Sequence, residues 1–313
     1  MQLQDVEIHY LTKKNFSSIL ESNPYVDKIH TIKSEIEVVI PDLKKEKFDL
    51  VIDLHHNLRS LQVKRKLKRP SVSFRKLNIE KFLAVRLKIN RLPDLHIVDR
   101  YLETVENLGV VNDGKGLDFF IPTKDEININ ALPTSHQQGY IGFVIGAALA
   151  TKQLPVEKII SICKKINRPI ILLGGKEDEE KGKKIKDAVG DLILNACNKF
   201  NLNQSASLVK QAQTIITHDT GLMHIAAAFQ KPIISVWGNT IPEFGMFVYK
   251  GTRGEGREIE DRKLGTGEKD LIVEVKNLSC RPCSKIGYRK CPRGHFKCMM
   301  EIDESVIISA LKS

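Results

Sequence analysis

The sequence predicts an α/β protein made of two doubly wound domains, and three observations support this. Short strands rich in β-branched residues alternate with helices of period 3.6 along the chain. In the second half, strands end in glycine, as at Gly146 and Gly174, before the next helix begins. The length of 313 residues is enough for two such domains.

The first half of the chain alternates strands and helices. The predicted strands are Val6–Leu11, Val26–Ile32 and Asp49–Asp53, and the predicted helices are Lys14–Ser22, Glu35–Lys47, Asn57–Leu67, Leu77–Lys88 and His96–Leu108. Helices between short strands imply a parallel sheet covered on both faces. Residues 122–138 carry asparagines, glutamines and Pro133, which indicates a linker. We therefore predict an N-terminal domain over residues 1–135 and a C-terminal domain with a cysteine-rich tail over residues 136–313.

The second half repeats this pattern with clearer apolar runs. The predicted strands are Tyr140–Ile145, Pro169–Leu173, Thr214–Thr217 and Pro232–Trp237, and the predicted helices are Val156–Ile166, Asp178–Val189, Asn203–Ala212 and Leu222–Phe229. Pro155 suits the first turn of a helix, where its missing N–H is not needed. In such sheets ligands bind beyond the carboxyl ends of the strands, so the loops at these ends are the candidate site.

The composition narrows the classes of partner. The formal net charge of +11 favours anionic partners such as phosphorylated substrates or acidic membrane surfaces, although it also serves solubility. Nucleic acid is not expected, because the basic stretch Lys64–Arg69 lacks aromatic residues and no nucleic-acid-binding motif is present. No apolar run reaches the roughly 18–20 residues of a membrane helix, and Met1–Tyr10 is unlike a signal peptide, so a cytoplasmic location is expected.

The strongest motif is the segment Thr217–Ala228, which follows a predicted strand and opens a helix. Gly221 allows a tight turn and a close approach to a ligand, and the free amides of the helix start can bind a diphosphate. Asp219 and Thr220 can bond sugar hydroxyls or phosphate, and His224 lies one turn further along the same side. Taken singly, Asp219 is equally explained as a helix cap and His224 as a core histidine.

Two further loops follow predicted strands. The loop Gly146–Pro155 carries Lys152, which can place a cation over a leaving diphosphate; a solvated surface lysine is the alternative. The loop that begins at Gly174-Gly175 carries Glu177 and Asp178. Either carboxylate can hold the two hydroxyls of a ribose, and the alternative is that both only start the next helix.

These three segments, in this order, resemble glycosyltransferase family 9, the ADP-heptose–lipopolysaccharide heptosyltransferases. The resemblance is carried by Asp219-Thr-Gly-x-x-His-x-Ala-Ala-Ala228, by Pro232…Trp237-Gly-x-Thr-x-Pro242, and by the tail Cys280-Arg-Pro-Cys283…Cys291-Pro-Arg-Gly-His295-Phe-Lys-Cys298-Met299. Weaker agreement runs through the first half at Glu7–Lys13, Asn23–Asp27, Asp53–Ser60 and His96–Tyr101, so the resemblance covers essentially the whole chain.

The resemblance implies a GT-B architecture, in which two Rossmann-like domains face a cleft, and an inverting transfer without a covalent intermediate. It implies that the C-terminal domain binds ADP-heptose or a similar ADP-sugar, and the N-terminal domain an acidic lipid-linked saccharide of the lipopolysaccharide inner core. The implied donor-binding residues are Lys152, Glu177, Asp219, Thr220, Gly221 and His224, and the implied acceptor-binding residues are Arg59, Lys64 and Arg65. No metal or other cofactor is required, because Lys152 and the helix start neutralise the diphosphate. Peripheral contact with the inner membrane is left open.

The sequence departs from the family pattern. Ala147 and Ala148 replace hydroxyl residues after the glycine of the lysine loop, so two phosphate hydrogen bonds are missing or fall to backbone amides. The first strand-loop-helix unit is absent, and its loop supplies the aspartate expected as general base, so the catalytic residue is unknown. Its loss should leave a gap in the sheet and cost roughly 10²–10⁴-fold in rate. Asp53, His55 and His56 are weaker candidates for that base.

Two explanations of the missing unit compete, and so do several functions. A misassigned start is favoured over a decayed, inactive copy, because the rest of the site is intact. The leading function is a heptosyltransferase or a relative that uses another ADP-sugar. The alternatives are a non-catalytic sugar-nucleotide-binding remnant and a nucleotide-binding regulator. A dehydrogenase is not expected, because no Gly-x-Gly-x-x-Gly follows any strand.

Four of the six cysteines lie in the C-terminal tail. Cys280 and Cys283 have the spacing of a zinc knuckle, and Cys291 and Cys298, with His295 nearby, complete a candidate set of ligands. The second half of this set does not repeat the first spacing. We therefore favour reduced structural thiols over a zinc site and over redox cross-linking.

Overall fold

The computed structural model describes residues 2–33, 35–251 and 270–312. They form two compact units, Met1–Asn78 with Leu95–Asp113, and Ile79–Asp94 with Gly114–Ser313. All strand pairs in these ranges are parallel, as the α/β prediction requires. Within the same ranges, no helix has the length and apolar character needed to cross a bilayer.

The first unit contains two pairs of strands and short helices. Its elements are β1 (His9–Lys13), β2 (Lys28–Ile32), α1 (Ile40–Lys45), β3 (Val51–Asp53), α2 (Leu58–Leu67), β4 (Ser71–Ser73), the start of α3 (Asn78–Phe82) and α4 (Ile97–Leu102), with 3₁₀ turns at Lys14–Ile19 and Glu103–Leu108. The border between the two units falls after Asn78, the first residue of α3, and a single turn of π-helix, Leu83–Leu87, follows α3 in the second unit. The helix predicted over residues 35–47 is therefore shorter than expected, and β4 was not predicted.

The sheet of the first unit is interrupted. In the described residues, β1 pairs with β2 and β3 with β4, and the two pairs form separate sheets. A small core of aliphatic side chains from β2, α1 and α2 lies behind the sheets, and Leu43 and Val63 are among its buried members. Helix α2 begins at a capping box, in which Asn57 accepts from the backbone N–H of Ser60 and the Ser60 hydroxyl accepts in return.

The second unit is a six-stranded doubly wound domain. Its elements are α5 (Thr134–Gln137), β5 (Ile141–Val144), α6 (Val156–Ile166), β6 (Ile170–Leu173), α7 (Glu179–Val189), β7 (Ile193–Asn195), α8 (Leu202–Gln211), β8 (Thr214–His218), α9 (Gly221–Ala228), β9 (Ile233–Trp237), β10 (Leu271–Glu274), α10 (Lys297–Met300) and α11 (Glu304–Ala310). The strand order is β7-β6-β5-β8-β9-β10, the arrangement of a Rossmann sheet. Strands β7 and β10 were not predicted.

Both faces of this sheet are buried, which explains its long apolar strands. Along β6, Ile170 and Leu172 pack into one core with α6 and α7, whereas Ile171 and Leu173 pack into a second core with α8 and α9. Helix α6 matches its predicted bounds, and its buried residues fall on one face.

The stretch predicted as a linker packs against α8 instead. The Asp125 carboxylate is buried and accepts hydrogen bonds from the amides of Asn201 (2.9 Å) and Asn203 (3.2 Å). The backbone N–H of Ile127 donates to the Ser207 hydroxyl. The polar residues of this stretch therefore make hydrogen bonds to the domain and do not form a flexible linker. Residues 114–135 belong to the second compact unit, whose border differs from the one predicted at residue 135.

Candidate functional site

The topological switch point of the second unit lies between β5 and β8. These strands pair directly, and the chain continues from β5 to β6 on one side and from β8 to β9 on the other. In doubly wound sheets, ligands bind beyond the carboxyl ends of the strands at this point. The lysine loop follows β5, and the segment beginning at Asp219 follows β8. The topology therefore brings the two strongest sequence motifs together.

Lys152 and Asp219 form an ion pair at the switch point. The ammonium of Lys152 lies 2.5 Å from Oδ2 of Asp219, and the Thr240 hydroxyl donates to the same oxygen at 3.3 Å. Both charged side chains are largely shielded, at 17% and 11% exposure. A surface lysine is therefore the wrong description of Lys152, since its charge is held at the end of the sheet. Asp219 is likewise not the cap of the following helix, because Thr220 occupies that position.

The N-terminus of α9 is left open beside this pair. Thr220 is the extended N-cap residue, and its side chain makes no capping hydrogen bond. Gly221 begins the helix without a positive φ, and a Cβ added there would meet no atom within 4 Å. The φ of Gly221 therefore does not itself require glycine, and its role in a tight turn stays a prediction. What the glycine provides is open space next to the free amides of the helix start, where an anion is favoured.

Two histidines flank the pair in the neutral form. Burial lowers the pKa of His224, while Asp219 opposes and Lys152 adds to that shift, so its ring neighbours both charges. His218, the last residue of β8, is fully buried, and burial lowers its pKa to about 4. Its Nε2 accepts the backbone N–H of Leu154 at 3.0 Å. His218 thereby fixes the lysine loop, a role that the sequence analysis missed because its partner Leu154 is 64 positions away.

The structure separates the two carboxylates that fit a ribose equally well in sequence. Asp178 is buried, accepts the backbone N–H of Gly175 (3.1 Å) and pairs with Lys181 (3.1 Å). Its carboxylate fills the space at Gly146 so closely that any Cβ there would collide with it. Glu177 is exposed. Asp178 is thus part of the scaffold at the strand ends, and Glu177 remains for a ligand.

The cysteine-rich tail braces the loops at the carboxyl ends of the strands through residues that the sequence analysis did not single out. Arg281 donates from Nε to the Gly238 carbonyl (2.6 Å) and from Nη2 to the Thr240 carbonyl (2.9 Å), and it pairs with Glu274 at 2.6 Å. Next to Lys152, the backbone N–H of Thr151 donates to the Tyr288 carbonyl (3.2 Å), and the Tyr288 N–H donates to the Thr151 hydroxyl (2.7 Å). The only signal in the sequence was the position of Arg281 between two family-typical cysteines.

The tail cysteines are all free thiols. Cys280 lies 3.7 Å from Nε2 of His295, a weak contact between sulfur and nitrogen. In the described ranges, the tail does not bring three ligand atoms within 4.8 Å of one another. Burial raises the pKa of Cys298 to about 12, so this sulfur is packed as a neutral thiol. The zinc content of the set Cys280, Cys283, Cys291 and Cys298 stays a prediction.

In the first unit, Asp53 and Lys64 are paired with each other. Burial alone would raise the pKa of Asp53, but hydrogen bonds from the His56 backbone, Lys64 and Ser60 lower it to about 2. Lys64 also bonds the Ser73 hydroxyl and is 14% exposed.

The remaining predicted residues of the first unit face solvent. Arg59 and Arg65 on α2 are exposed, as are the side chains of His55 and His56. The structure therefore leaves the two arginines available for an acidic acceptor, whereas the charge of Lys64 is already compensated by Asp53.

The family model for "Glycosyltransferase family 9 (heptosyltransferase)" matches residues 38–252. The lipooligosaccharide heptosyltransferase 2 of Haemophilus influenzae is 35% identical over 79 residues, which are 24% of this chain and 23% of that protein. The lipopolysaccharide heptosyltransferase 1 of Campylobacter coli is 25% identical over 264 residues, 76% of each chain. The chain thus spans about a quarter of the first relative and about three quarters of the second.

Two solved structures share the fold. The Escherichia coli ADP-heptose lipopolysaccharide heptosyltransferase II aligns with a TM-score of 0.71 at 17% identity over 99% of this chain and 90% of that chain. A family 9 glycosyltransferase from Veillonella parvula aligns with a TM-score of 0.73 at 21% identity over 98% of this chain and 87% of that one. These alignments confirm the predicted α/β, GT-B type of fold. With the family match over residues 38–252, they lead to one conclusion: the chain belongs to glycosyltransferase family 9, the heptosyltransferases.

Proposed function

We propose that this glycosyltransferase moves a heptose from ADP-heptose to an acidic saccharide of the lipopolysaccharide inner core, with inversion at the anomeric carbon. The observation that carries the proposal is the Lys152–Asp219 pair at the switch point, beside the uncapped start of α9. An anionic diphosphate can replace the carboxylate as the partner of Lys152 and accept from the helix amides. The names of the relatives supply the sugar and the acceptor class.

Each of these residues would contact the part of the donor that suits its chemistry. Lys152 and the α9 amides neutralise the leaving diphosphate, and neutral His224 donates a hydrogen bond to it. Asp219 and Thr220 bond the sugar hydroxyls, and the exposed carboxylate of Glu177 accepts from the two hydroxyls of the ribose. Gly221 leaves space for the ligand to reach the helix start. These groups balance the charge that develops on the leaving ADP without a metal ion.

In the transfer, an acceptor hydroxyl oxygen attacks the anomeric carbon, the bond from that carbon to the diphosphate breaks, and ADP leaves. The hydroxyl proton must pass to a general base. Asp53 is a poor base for this step, because its five hydrogen-bond donors stabilise the ionised form and its pKa lies near 2. The base is therefore left unassigned among the described residues.

The acceptor-binding residues are inferred from their positive charge. Arg59 and Arg65 present exposed guanidinium groups on one helix, and guanidinium groups suit phosphate and carboxylate partners. The net charge of +11 favours approach to an anionic lipid surface. We place the reaction at the cytoplasmic side of the inner membrane, with peripheral rather than integral contact. Double replacement of Arg59 and Arg65 by alanine should raise KM for the acceptor and leave donor binding unchanged.

Calorimetric titration tests the donor site directly. The protein is titrated with ADP-heptose, ADP, UDP-glucose and GDP-mannose, and we expect clear preference for ADP-heptose. Lys152→Ala should weaken binding by roughly ten- to a hundredfold, the usual loss of a hydrogen bond to a charged group. The matched control is Lys183→Ala, which removes an exposed lysine of α7. Equal affinities for all four ligands, or equal loss in both variants, would refute the proposal.

A further inference from the structure

The first unit contains a cluster that the transfer reaction does not use. Its members are His9 on β1, His30 on β2 and Glu46, the residue that follows α1. In the parallel pair, His9 lies opposite Lys28 and His30 opposite Leu11. The two histidines are therefore diagonal neighbours on one face of the sheet, because side chains two residues apart share a face.

The geometry of the cluster is tight. Nδ1 of His9 lies 3.0 Å from Nε2 of His30, and a carboxylate oxygen of Glu46 lies with them inside a group of ligand atoms no more than 4.8 Å apart. Two nitrogens bound tetrahedrally to one zinc ion at about 2.05 Å are roughly 3.3 Å apart. The two nitrogens thus need to separate by only a few tenths of an ångström, but both rings must also rotate so that their lone pairs point to one ion.

The surroundings hold both rings in place. Phe48 packs edge-on against His9 and His30, with ring centroids 5.1 Å and 6.4 Å away. The second ring nitrogen of His9 lies 2.6 Å from the Glu7 carboxylate. A histidine that binds a metal through one nitrogen and donates from the other to a carboxylate is the usual arrangement in protein metal sites, since the carboxylate fixes the ring and its tautomer.

We propose that His9, His30 and Glu46 bind a divalent transition-metal ion of the zinc class, with water completing the coordination. Two neutral imidazoles and one carboxylate are the donor set that this ion favours. Binding requires His30 to carry its proton on Nδ1, so that Nε2 no longer donates to His9.

The ion would join β1 and β2 to the end of α1. The metal ion would compete with Lys28 for the Glu46 carboxylate. The Lys28 ammonium lies 2.5 Å from Glu46, and its side chain is 53% exposed. Replacing Lys28 by methionine removes this competitor and should tighten metal binding. A cluster that served only as a hydrogen-bonded contact would give no such gain, so this variant separates the two roles.

Metal titration of chelator-treated protein tests the site. We expect one equivalent of Zn²⁺ by calorimetry that is lost in His30→Gln and Glu46→Gln and kept in His295→Gln, the control for the tail. With Co²⁺ as probe, that equivalent should give visible bands without a thiolate charge-transfer band, because its ligands are nitrogen and oxygen. Any zinc held by the tail cysteines would appear as a separate equivalent, present in all variants.

The variants are checked for folding by far-UV circular dichroism. Glu46 is partly exposed, with 23% of its side chain accessible, so Glu46→Gln decides the question if the variant at buried His30 does not fold. Equal stoichiometry in wild type and Glu46→Gln, or a cobalt spectrum made only of thiolate bands, would overturn the proposal. Loss of ADP-heptose binding would not bear on it, because Lys152 belongs to the other compact unit.

Discussion

Replacing Arg281 by alanine should destabilise the second unit strongly. The side chain is 8% exposed and makes hydrogen bonds to the Gly238 and Thr240 carbonyls besides its ion pair with Glu274, itself 15% exposed. Removing one partner of a shielded pair leaves the other charge uncompensated, which costs about 3–5 kcal/mol. With a urea m-value of about 2 kcal/mol/M, the unfolding midpoint should fall by roughly 1.5–2.5 M.

The chain carries its own probe for this measurement. Trp237 is the only tryptophan, is fully buried, and immediately precedes Gly238. Its fluorescence therefore reports unfolding of the second unit alone. Arg281→Lys should give an intermediate loss of stability, because one ammonium cannot make the same set of hydrogen bonds as the planar guanidinium. Arg293→Ala, at an exposed arginine of the same tail, is the control. A midpoint shift below about 0.5 M for Arg281→Ala would show that these contacts are worth no more than a surface ion pair.

Two further predictions concern the second unit, and a third concerns the first unit. Because the pKa of His218 is about 4 in the folded chain and 6.5 in the reference state, its protonation favours unfolding. Stability should fall by about 2 kcal/mol between pH 8 and pH 5, and His218→Gln should lack this component in urea titrations. Glu177→Ala should weaken ADP binding roughly ten- to a hundredfold without moving the midpoint, whereas Asp178→Ala should lower the midpoint; the reverse pattern would contradict the assignment. Asp53→Asn should destabilise the first unit by about 1–3 kcal/mol by circular dichroism, and no change would mean that the pair with Lys64 contributes nothing.

Apolar runs and helical apolar spacing made most elements of the second unit predictable from the sequence. Four of its six strands and helices such as α6 were found from apolar runs, because both faces of the sheet are buried and apolar spacing then reports structure directly. The missed strands, β7 and β10, lie at the two edges and have three and four residues. Edge strands bury less surface, so their sequences carry a weaker apolar signal.

Roles that depend on contacts distant in sequence were not predictable. The linker interpretation of residues 122–138 failed because the polar residues there bond to partners on α8, about 80 positions away. The choice between Glu177 and Asp178 needed the space at Gly146, which only the structure shows. Arg281 acts on Gly238 and Thr240 across the loop that follows β9. In each case the residue type was visible, but its partner was not.

The charge balance of the donor site constrains how the donor binds. Lys152 already has a carboxylate partner in the structure, so in the proposed donor complex the diphosphate would take the place of Asp219 as that partner. Once phosphate oxygens contact the ammonium, Asp219 would face like charges and lose its main partner. It retains the Thr240 hydroxyl, which Arg281 holds through the Thr240 carbonyl. A carboxylate released in this way is an acceptor suited to sugar hydroxyls. The proposed exchange therefore predicts phosphate at Lys152 and sugar at Asp219, and predicts that the tail supports donor binding.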